Sequence, residues 1–463
     1  MIYFGVFLFV LFLVFKCMYI LFPLSKRNHK NLDQKIQSFK SFALLVPAHN
    51  EESVIINCLR SLKELQYPNY SVYIIDDGST DGTFDVVNKF LNLVPARLEE
   101  DSRLEYQPIT AKYRSSVCPN FYLISKENGG KADALNAGIS CCSQQIVVTL
   151  DADCFIKRDA LSVMNKAFQN RRLVAAGGTV HITQSVNNEE KLIFKLKNLI
   201  RYQVIQYLNA FYLHKFTQSS FKSLIVISGA FGAFKRKLLI EINGYRKSVG
   251  EDMDITLKIH RYIKQHKKRY EMLYVPKSVC YTECPENFNN LMRQRIRWQK
   301  AFIDCTAKYG LQMFRKFNIG VSIFFVFDYL ILGTLTSFLL LLMPVYFALN
   351  FNLPVVFLII FTVDFILGIT ECAVSKKIAA RYSFTFRKSD NVRVGFYIPF
   401  KILILRFINI LFIVAGTISY FFNKHKWNQA KRLGRCFSEA DKLFSTDKMQ
   451  DIPEHGLTSA NNS

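Results

Sequence analysis

The sequence predicts an α/β domain held between membrane-spanning helices, and two observations carry that prediction. Between about residues 40 and 300, short runs rich in Val, Ile and Leu alternate with helical patterns, the mark of βαβ units in an open parallel sheet covered on both faces. Outside it, residues 1–22, 319–349, 353–373 and 394–422 are apolar stretches long or nearly long enough to cross a bilayer core, which takes about 20 helical residues.

Taken in order, residues 1–24 read as an N-terminal anchor. The segment lacks a basic start, carries Lys16 inside it and offers no small-residue cleavage site, so it is expected to be retained. The basic run SKRNHK (25–30) then marks the cytoplasmic side, which places the central domain in the cytosol. Within that domain (40–285), strands are expected at FALLVPA (42–48), VYIIDD (72–77), FYLISK (121–126) and QIVVTLD (145–151). Helices are expected near 51–65, 82–92, 130–142 and 188–215. The polar stretch 95–120 has no clear periodicity and reads as an insertion or flexible loop. SGAFGAFKRKLLIEINGY (228–245) reads as a small-residue turn followed by a helix, and another helix is expected from Asp252. Residues 286–318 contain NFNNLMRQRIRWQKAF (287–302), which places Arg and Lys among apolar positions at helical spacing, as an interfacial helix does. A membrane region (319–422) and a tail, basic and then disordered (423–463), complete the chain.

The chain has 60 Lys and Arg against 36 Asp and Glu, a net charge of +24. The basic residues are spread over 157–172, 191–201, 258–269, 293–300 and the flanks of the apolar stretches, and no nucleic-acid motif accompanies them. That spread suits anionic lipid headgroups and an anionic small substrate, and argues against a nucleic-acid partner. Of the 11 cysteines only Cys141 and Cys142 are adjacent and no C-x-x-C occurs, so reduced, structural thiols are expected.

The residues that carry chemistry fall at the carboxyl ends of the predicted strands, where ligands bind in open α/β sheets. Strand one ends in PAHNEE (47–52), with Ala48 and Glu51 as candidates for nucleotide-sugar contact, and strand two in DDGSTDGT (76–83). Asp77 beside Gly78 can accept a proton from a uracil ring; the alternative is a turn stabilised by Asp side chains. In ENGGKADALN (127–136) the glycine pair leads into a helix with Lys131 in its first turn, an arrangement suited to a phosphate. Asp151 and Asp153 end a buried strand and point to one face, so they can converge on Mg²⁺ or Mn²⁺; two acids on a solvated loop is the competing reading. In GEDMD (250–254), Asp252 at a helix start is placed to take a proton from an acceptor hydroxyl, with Glu251 and Asp254 as competing acids. QRIRW supplies Gln294, Arg297 and Trp298, an indole platform for a sugar and a cation for a leaving diphosphate, or else an interface anchor.

In this order the motifs PAHNEE, DDGSTDGT, GGKADALN, LDADC, SGAFGAF, GEDMD and QRIRW closely resemble those of the inverting family 2 glycosyltransferases, above all the processive membrane branch of cellulose, chitin, hyaluronan and poly-N-acetylglucosamine synthases. The resemblance covers about residues 40–300 and implies a Rossmann-like nucleotide-diphospho-sugar transferase domain of the GT-A type. It implies Asp77 at the uracil, Lys131 near the nucleotide, Asp153 as the more direct metal ligand with Asp151 nearer the ribose, and Asp252 as general base. Gln294, Arg297 and Trp298 would border the acceptor sugar and diphosphate. The implied partners are a UDP-sugar, a growing glycan or lipid acceptor, membrane lipids and an accessory export subunit. Departures are the absence of an F-x-V-T-x-K gating signature, for which SFTFRKSD (383–390) is the remote counterpart to consider, and of a cyclic-dinucleotide receptor domain after residue 423. They favour the poly-N-acetylglucosamine type over cellulose synthase. A single-sugar transferase acting on a lipid acceptor and a non-catalytic scaffold of the same fold are the alternatives. One tension stays open: a single crossing after 394 would put the basic segment 423–435 outside, against the positive-inside rule, unless 394–406, with Lys401 and Arg406, lies on the surface.

Overall fold

A computed structural model describes residues 2–25, 36–186, 191–194, 196–349, 354–400 and 406–422. The basic run after Ser25, Lys401 and the tail 423–463 lie outside the described residues. In chain order the elements are α1 (Ile2–Ser25), β1 (Phe42–Ala48), α2 (Ile55–Lys63), β2 (Tyr70–Asp77), α3 (Thr83–Leu91), β3 (Leu93–Pro95), β4 (Ile109–Ser115), β5 (Phe121–Lys126), α4 (Lys131–Cys141), β6 (Ile146–Leu150), β7 (Cys154–Ile156), α5 (Ala160–Phe168) and β8 (Leu173–Ile182). There follow α6 (Asn198–Asn209), a π-helical stretch (Ala210–Lys215), α7 (Phe216–Ser220), β9 (Phe231–Lys235), α8 (Arg236–Glu241), α9 (Glu251–Gln265), β10 (Glu271–Thr282) and α10 (Phe288–Tyr309). The chain continues through α11 (Ile319–Ile323), a second π-helical stretch (Phe324–Leu335), α12 (Thr336–Leu349), α13 (Pro354–Arg381), α14 (Lys388–Phe400) and α15 (Arg406–Phe422).

One ten-stranded sheet runs β3-β4-β5-β2-β1-β6-β9-β8-β10-β7. Its centre, β5-β2-β1-β6, is parallel, as the alternation of strands and helices predicts. The flanks correct the all-parallel expectation. β9 runs antiparallel to both β6 and β8, and β7 antiparallel to β10. β3 and β4 form an antiparallel hairpin on the β5 edge, so the stretch 95–120 is not a bare loop. β9 lies inside the segment read as a turn, and the helix expected from 188 begins only at Asn198.

Phe42, Leu44, Leu45, Val46, Val147 and Val148 are wholly buried because helices cover both faces of these strands. Each such side chain contributes about 1.5–3 kcal/mol on transfer from water. Leu45 also lies against Gly138 of α4, where an added Cβ would sit 3.1 Å from its methyls. The parallel centre thereby holds α4 close.

Among the described residues, three helices are long and apolar enough to cross a membrane: Tyr3–Ser25, Ile319–Leu342 and Leu358–Arg381. Of the fourth expected span, 394–422, residues 401–405 lie outside the described residues; α14 and the apolar Arg406–Phe422 are described on either side of them. The Arg381 guanidinium donates to the Pro23 and Leu24 carbonyls at 2.9 and 3.3 Å, closing the end of α1 against α13. The SFTFRKSD loop docks on the domain: Leu192 N–H donates to the Thr385 carbonyl at 2.9 Å, and the Phe384 ring centroid lies 4.0 Å from that of His181.

Candidate active site

Parallel strands all end at one edge of the sheet, so the strand-end motifs are brought together there. Connections from β1 lead to β2 on one side while β6 returns on the other, which opens a crevice outside their carboxyl ends. Ala48 ends β1, and Glu51 is buried just before α2, its carbonyl accepting the Ile55 N–H at 3.0 Å. Asn50, in a left-handed backbone conformation (φ 57°), accepts the Thr80 N–H at 2.8 Å and ties the first loop to the second.

Asp77 is 3% exposed and fully engaged. Its Oδ1 accepts from Lys126 Nζ at 2.7 Å and from the Gly129 N–H at 3.0 Å, and its Oδ2 accepts from the Gly130 N–H at 2.7 Å. It therefore shapes the glycine loop that precedes α4, a role composition alone does not disclose. Gly130 takes φ +92°, which an L side chain rarely adopts, so the loop needs glycine there.

The loop delivers Lys131, whose Nζ lies 2.6 Å from Asp151 Oδ1 and 2.7 Å from Glu251 Oε1. Burial in the cleft works against its charge, but the two carboxylates outweigh that and hold the ammonium above its ordinary range. The same three residues join the loop, the end of β6 and the start of α9. Gly229 fits between them: an added Cβ would lie 3.0 Å from Lys131 Nζ and 3.1 Å from Glu251 Oε1, so the small residues of 228–233 serve a close approach of charged groups.

Asp151, Asp153 and Cys154 place one donor atom each within 4.8 Å of one another. Burial first, and then the Cys280 thiol and the Asp153 and Asp151 charges, push the Cys154 thiol well up, so it stays protonated. The remaining donors are two carboxylates, a hard oxygen pair that fits Mg²⁺ or Mn²⁺.

The structure sorts the three acids of GEDMD. Glu251 faces Lys131. Asp254 is wholly buried and accepts from Arg246 Nε at 3.0 Å and from the Tyr309 hydroxyl at 3.1 Å, with Lys308 Nζ at 3.3 Å. Asp252 alone of the three has no basic partner within ion-pair distance among the described residues; it accepts only backbone N–H groups, from Met253 at 2.8 Å and Gly229 at 3.3 Å. Lys215, from the π-helical stretch, is pushed down to about 8 by burial, an effect the Asp252 charge partly offsets.

α10 brings QRIRW to the cleft end, since Gly250 abuts Ala301 of that helix. Trp298 is 40% exposed, with the Arg295 guanidinium 4.1 Å from its ring centroid. Gln294 Oε1 and Arg295 Nε and Nη2 are buried without a hydrogen-bond partner, and burial lowers the affinity of Arg295 for its proton. Arg297 is half-buried and makes no ion pair among the described residues. Arg295 is thus a second cation of this motif with donors left over, and sequence reasoning did not single it out.

Such a crevice, with its converging carboxylates and a lysine at a helix start, defines a GT-A-type glycosyltransferase fold. Residues 43–242 match the model of Glycosyl transferase family 2 and residues 146–369 that of Glycosyl transferase family group 2. The chain belongs to glycosyl transferase family 2. It is similar to a poly-beta-1,6-N-acetyl-D-glucosamine synthase of Staphylococcus epidermidis, 28% identical over 268 residues covering 57% of this chain and 55% of that protein. The protein of that name from Staphylococcus aureus (strain COL) is 26% identical over 275 residues, 59% of this chain and 57% of that one. The chain spans little more than half the length of these curated relatives. Among solved structures, the mannosyltransferase PcManGT from Pyrobaculum calidifontis, in complex with GDP-Man and Mn²⁺, aligns with a TM-score of 0.51 at 16% identity over 90% of this chain and 100% of that one, a likeness of fold.

Proposed function

We propose that this chain is an inverting, metal-dependent, processive membrane glycosyltransferase that polymerises a β-linked polysaccharide of the poly-N-acetylglucosamine type from a UDP-sugar on the cytosolic face, with export coupled to synthesis. The observation that carries the reading is Asp252, an acid at the cleft whose two neighbours in GEDMD are tied by ion pairs while it is not. The names of the curated relatives support the sugar and the product.

In this account Asp252 accepts the proton of the acceptor hydroxyl. The acceptor oxygen attacks the anomeric carbon from the face opposite the diphosphate, the bond from that carbon to the diphosphate oxygen breaks, and the configuration inverts from α to β. Asp153 and Asp151 would hold Mg²⁺ or Mn²⁺, which when bound neutralises charge on the diphosphate. Lys131 and the unpaired donors of Arg295 suit the same anion, and Trp298 gives an apolar face for the acceptor sugar. Asp77 remains the candidate for the uracil through the loop it holds, with Ala48 and Glu51 on the facing turn, and Gln294 and Arg297 beside the acceptor.

A panel of radiolabelled UDP-sugars offered to the purified protein in lipid vesicles, with Mg²⁺, Mn²⁺ or a chelator, tests this. High-mass product from UDP-N-acetylglucosamine, lost on chelation, is the expected result. Transfer of one sugar to lipid would replace polymerisation by single transfer, and the absence of turnover from any donor would sink the enzymatic reading.

A further inference from the structure

A cavity of about 530 Å³ lies at the other end of the sheet. Its position follows from the register. Ile146, the first residue of β6, pairs with Phe42 of β1 and with Lys235 of β9, so the wall of the cavity is formed by the amino ends of β1 and β6, opposite the edge that carries Asp151. Six basic side chains line it: Lys40, Arg103, Arg171, Lys235, Arg236 and Lys237. They arrive from separate parts of the chain: the lead into β1, the 95–120 insertion, the turn after α5, and the β9–α8 junction.

These charges are poorly neutralised from within. Asp101 is shared between Arg103, at 2.5 Å, and Arg236, at 3.5 Å. Glu241 takes the Tyr262 hydroxyl at 2.8 Å. Lys235 Nζ donates to the Arg171 carbonyl at 2.7 Å and meets no carboxylate among the described residues; Lys40, Arg171 and Lys237 form no ion pair there either. Burial, and then Lys40 beside it, lowers the affinity of Lys235 for its proton. Like charges collected in a concavity repel one another, and a fold gains nothing from them unless an anion joins them.

We infer that this cavity is a second ligand site, distinct from the catalytic cleft, for a small soluble anion carrying several phosphate groups. Its volume lies in the range of ordinary small-molecule sites. The Arg171 guanidinium and the Lys40, Lys235 and Lys237 ammonium groups, which meet no carboxylate among the described residues, converge from three segments and match several phosphates better than one. The catalytic end of the sheet packs on α10 through Gly250 and Ala301, and α10 packs on the apolar α15 through Gln299 and Gly416, whereas the cavity lies at the opposite end of the strands. The site also touches the segment after α4 and the first residue of β6, whereas Lys131 opens α4 and Asp151 follows β6 at their other ends.

Calorimetric titration of inorganic tripolyphosphate into the full-length protein in detergent at low salt tests the site. Saturable binding is expected, weakened at least about tenfold by Arg171→Glu/Lys237→Glu and independently by Lys40→Gln, and unchanged by Asp151→Asn/Asp153→Asn in the cleft. Arg171 and Lys237 are exposed, so the double variant keeps its fold, and an unchanged melting temperature verifies this. Three results would overturn the inference: no binding at about 1 mM tripolyphosphate, equal binding by wild type and both pocket variants, or loss of binding in the cleft variant.

Discussion

At the residue scale, the site depends on which acids are tied and which are not. D-x-D at a strand end and an acidic helix start are legible in sequence because residue types and spacing suffice. What sequence cannot give is the assignment of partners. Nothing in GEDMD says that Asp254 is consumed by Arg246, Lys308 and Tyr309, because those residues come from other segments. The same holds for Asp77 and its loop, and for Arg295, whose unpaired donors appear only when α10 is set against the domain. Lys215 is a further case, and it makes a pH prediction. Its folded value, about 8, lies below the usual unfolded value of about 10.4. The charge therefore opposes folding fully below pH 8, and that opposition is relieved between pH 8 and about 10.4, where the unfolded chain binds the extra proton. The Asp252 charge and the Lys215 ammonium attract one another, so the ammonium belongs to the electrostatics of the cleft. The ratio kcat/KM is expected to fall as pH rises through about 8, and Lys215→Met should start lower and lose that limb of the profile. An unaltered alkaline limb in the variant would remove Lys215 from the account.

At the element scale, long periodic segments declared themselves and composite ones did not. β1, β2, β5 and β6 are near-continuous apolar runs, as strands buried on both faces must be. β9, FGAFK, hid because Gly232 and Ala233 read as a turn, although the small residues are what let it lie between β6 and β8. β4 hid because a strand one place in from the sheet edge, with half-exposed residues, has weak alternation. The membrane helices carry their own polar logic. Lys16 of α1 meets Glu371 of α13 at 2.6 Å, and the Tyr19 hydroxyl meets Asp328 of the second π-helical stretch in a short hydrogen bond. Lys16→Met would leave Glu371 without its cation and destabilise the helix pair by about 3–5 kcal/mol, whereas Lys16→Met/Glu371→Leu should recover most of the loss. Thermal unfolding in one detergent measures both. Equal melting of the single and double variants would show that the pair does not clamp α1 to α13.

At the scale of the whole molecule, the sheet separates two regions of opposite demand. One edge gathers carboxylates against the membrane-facing helix α10, and the other gathers cations away from it. The overall charge of +24 says nothing of this division, since it emerges only from the strand register. The order of motifs along the chain was enough to predict the crevice, because parallel βαβ units bring every strand end to one edge whatever the loops contain.

The central claim is that Asp252, and neither of its acidic neighbours, is the general base. Turnover of UDP-N-acetylglucosamine by Asp252→Asn and Asp254→Asn, each with its melting temperature in the same lipid, tests it most directly. The account predicts that Asp252→Asn lowers kcat at least about 100-fold with melting unchanged, while Asp254→Asn, which removes one of the two buried carboxylates paired with Arg246, lowers the melting temperature. Full turnover by Asp252→Asn would contradict it.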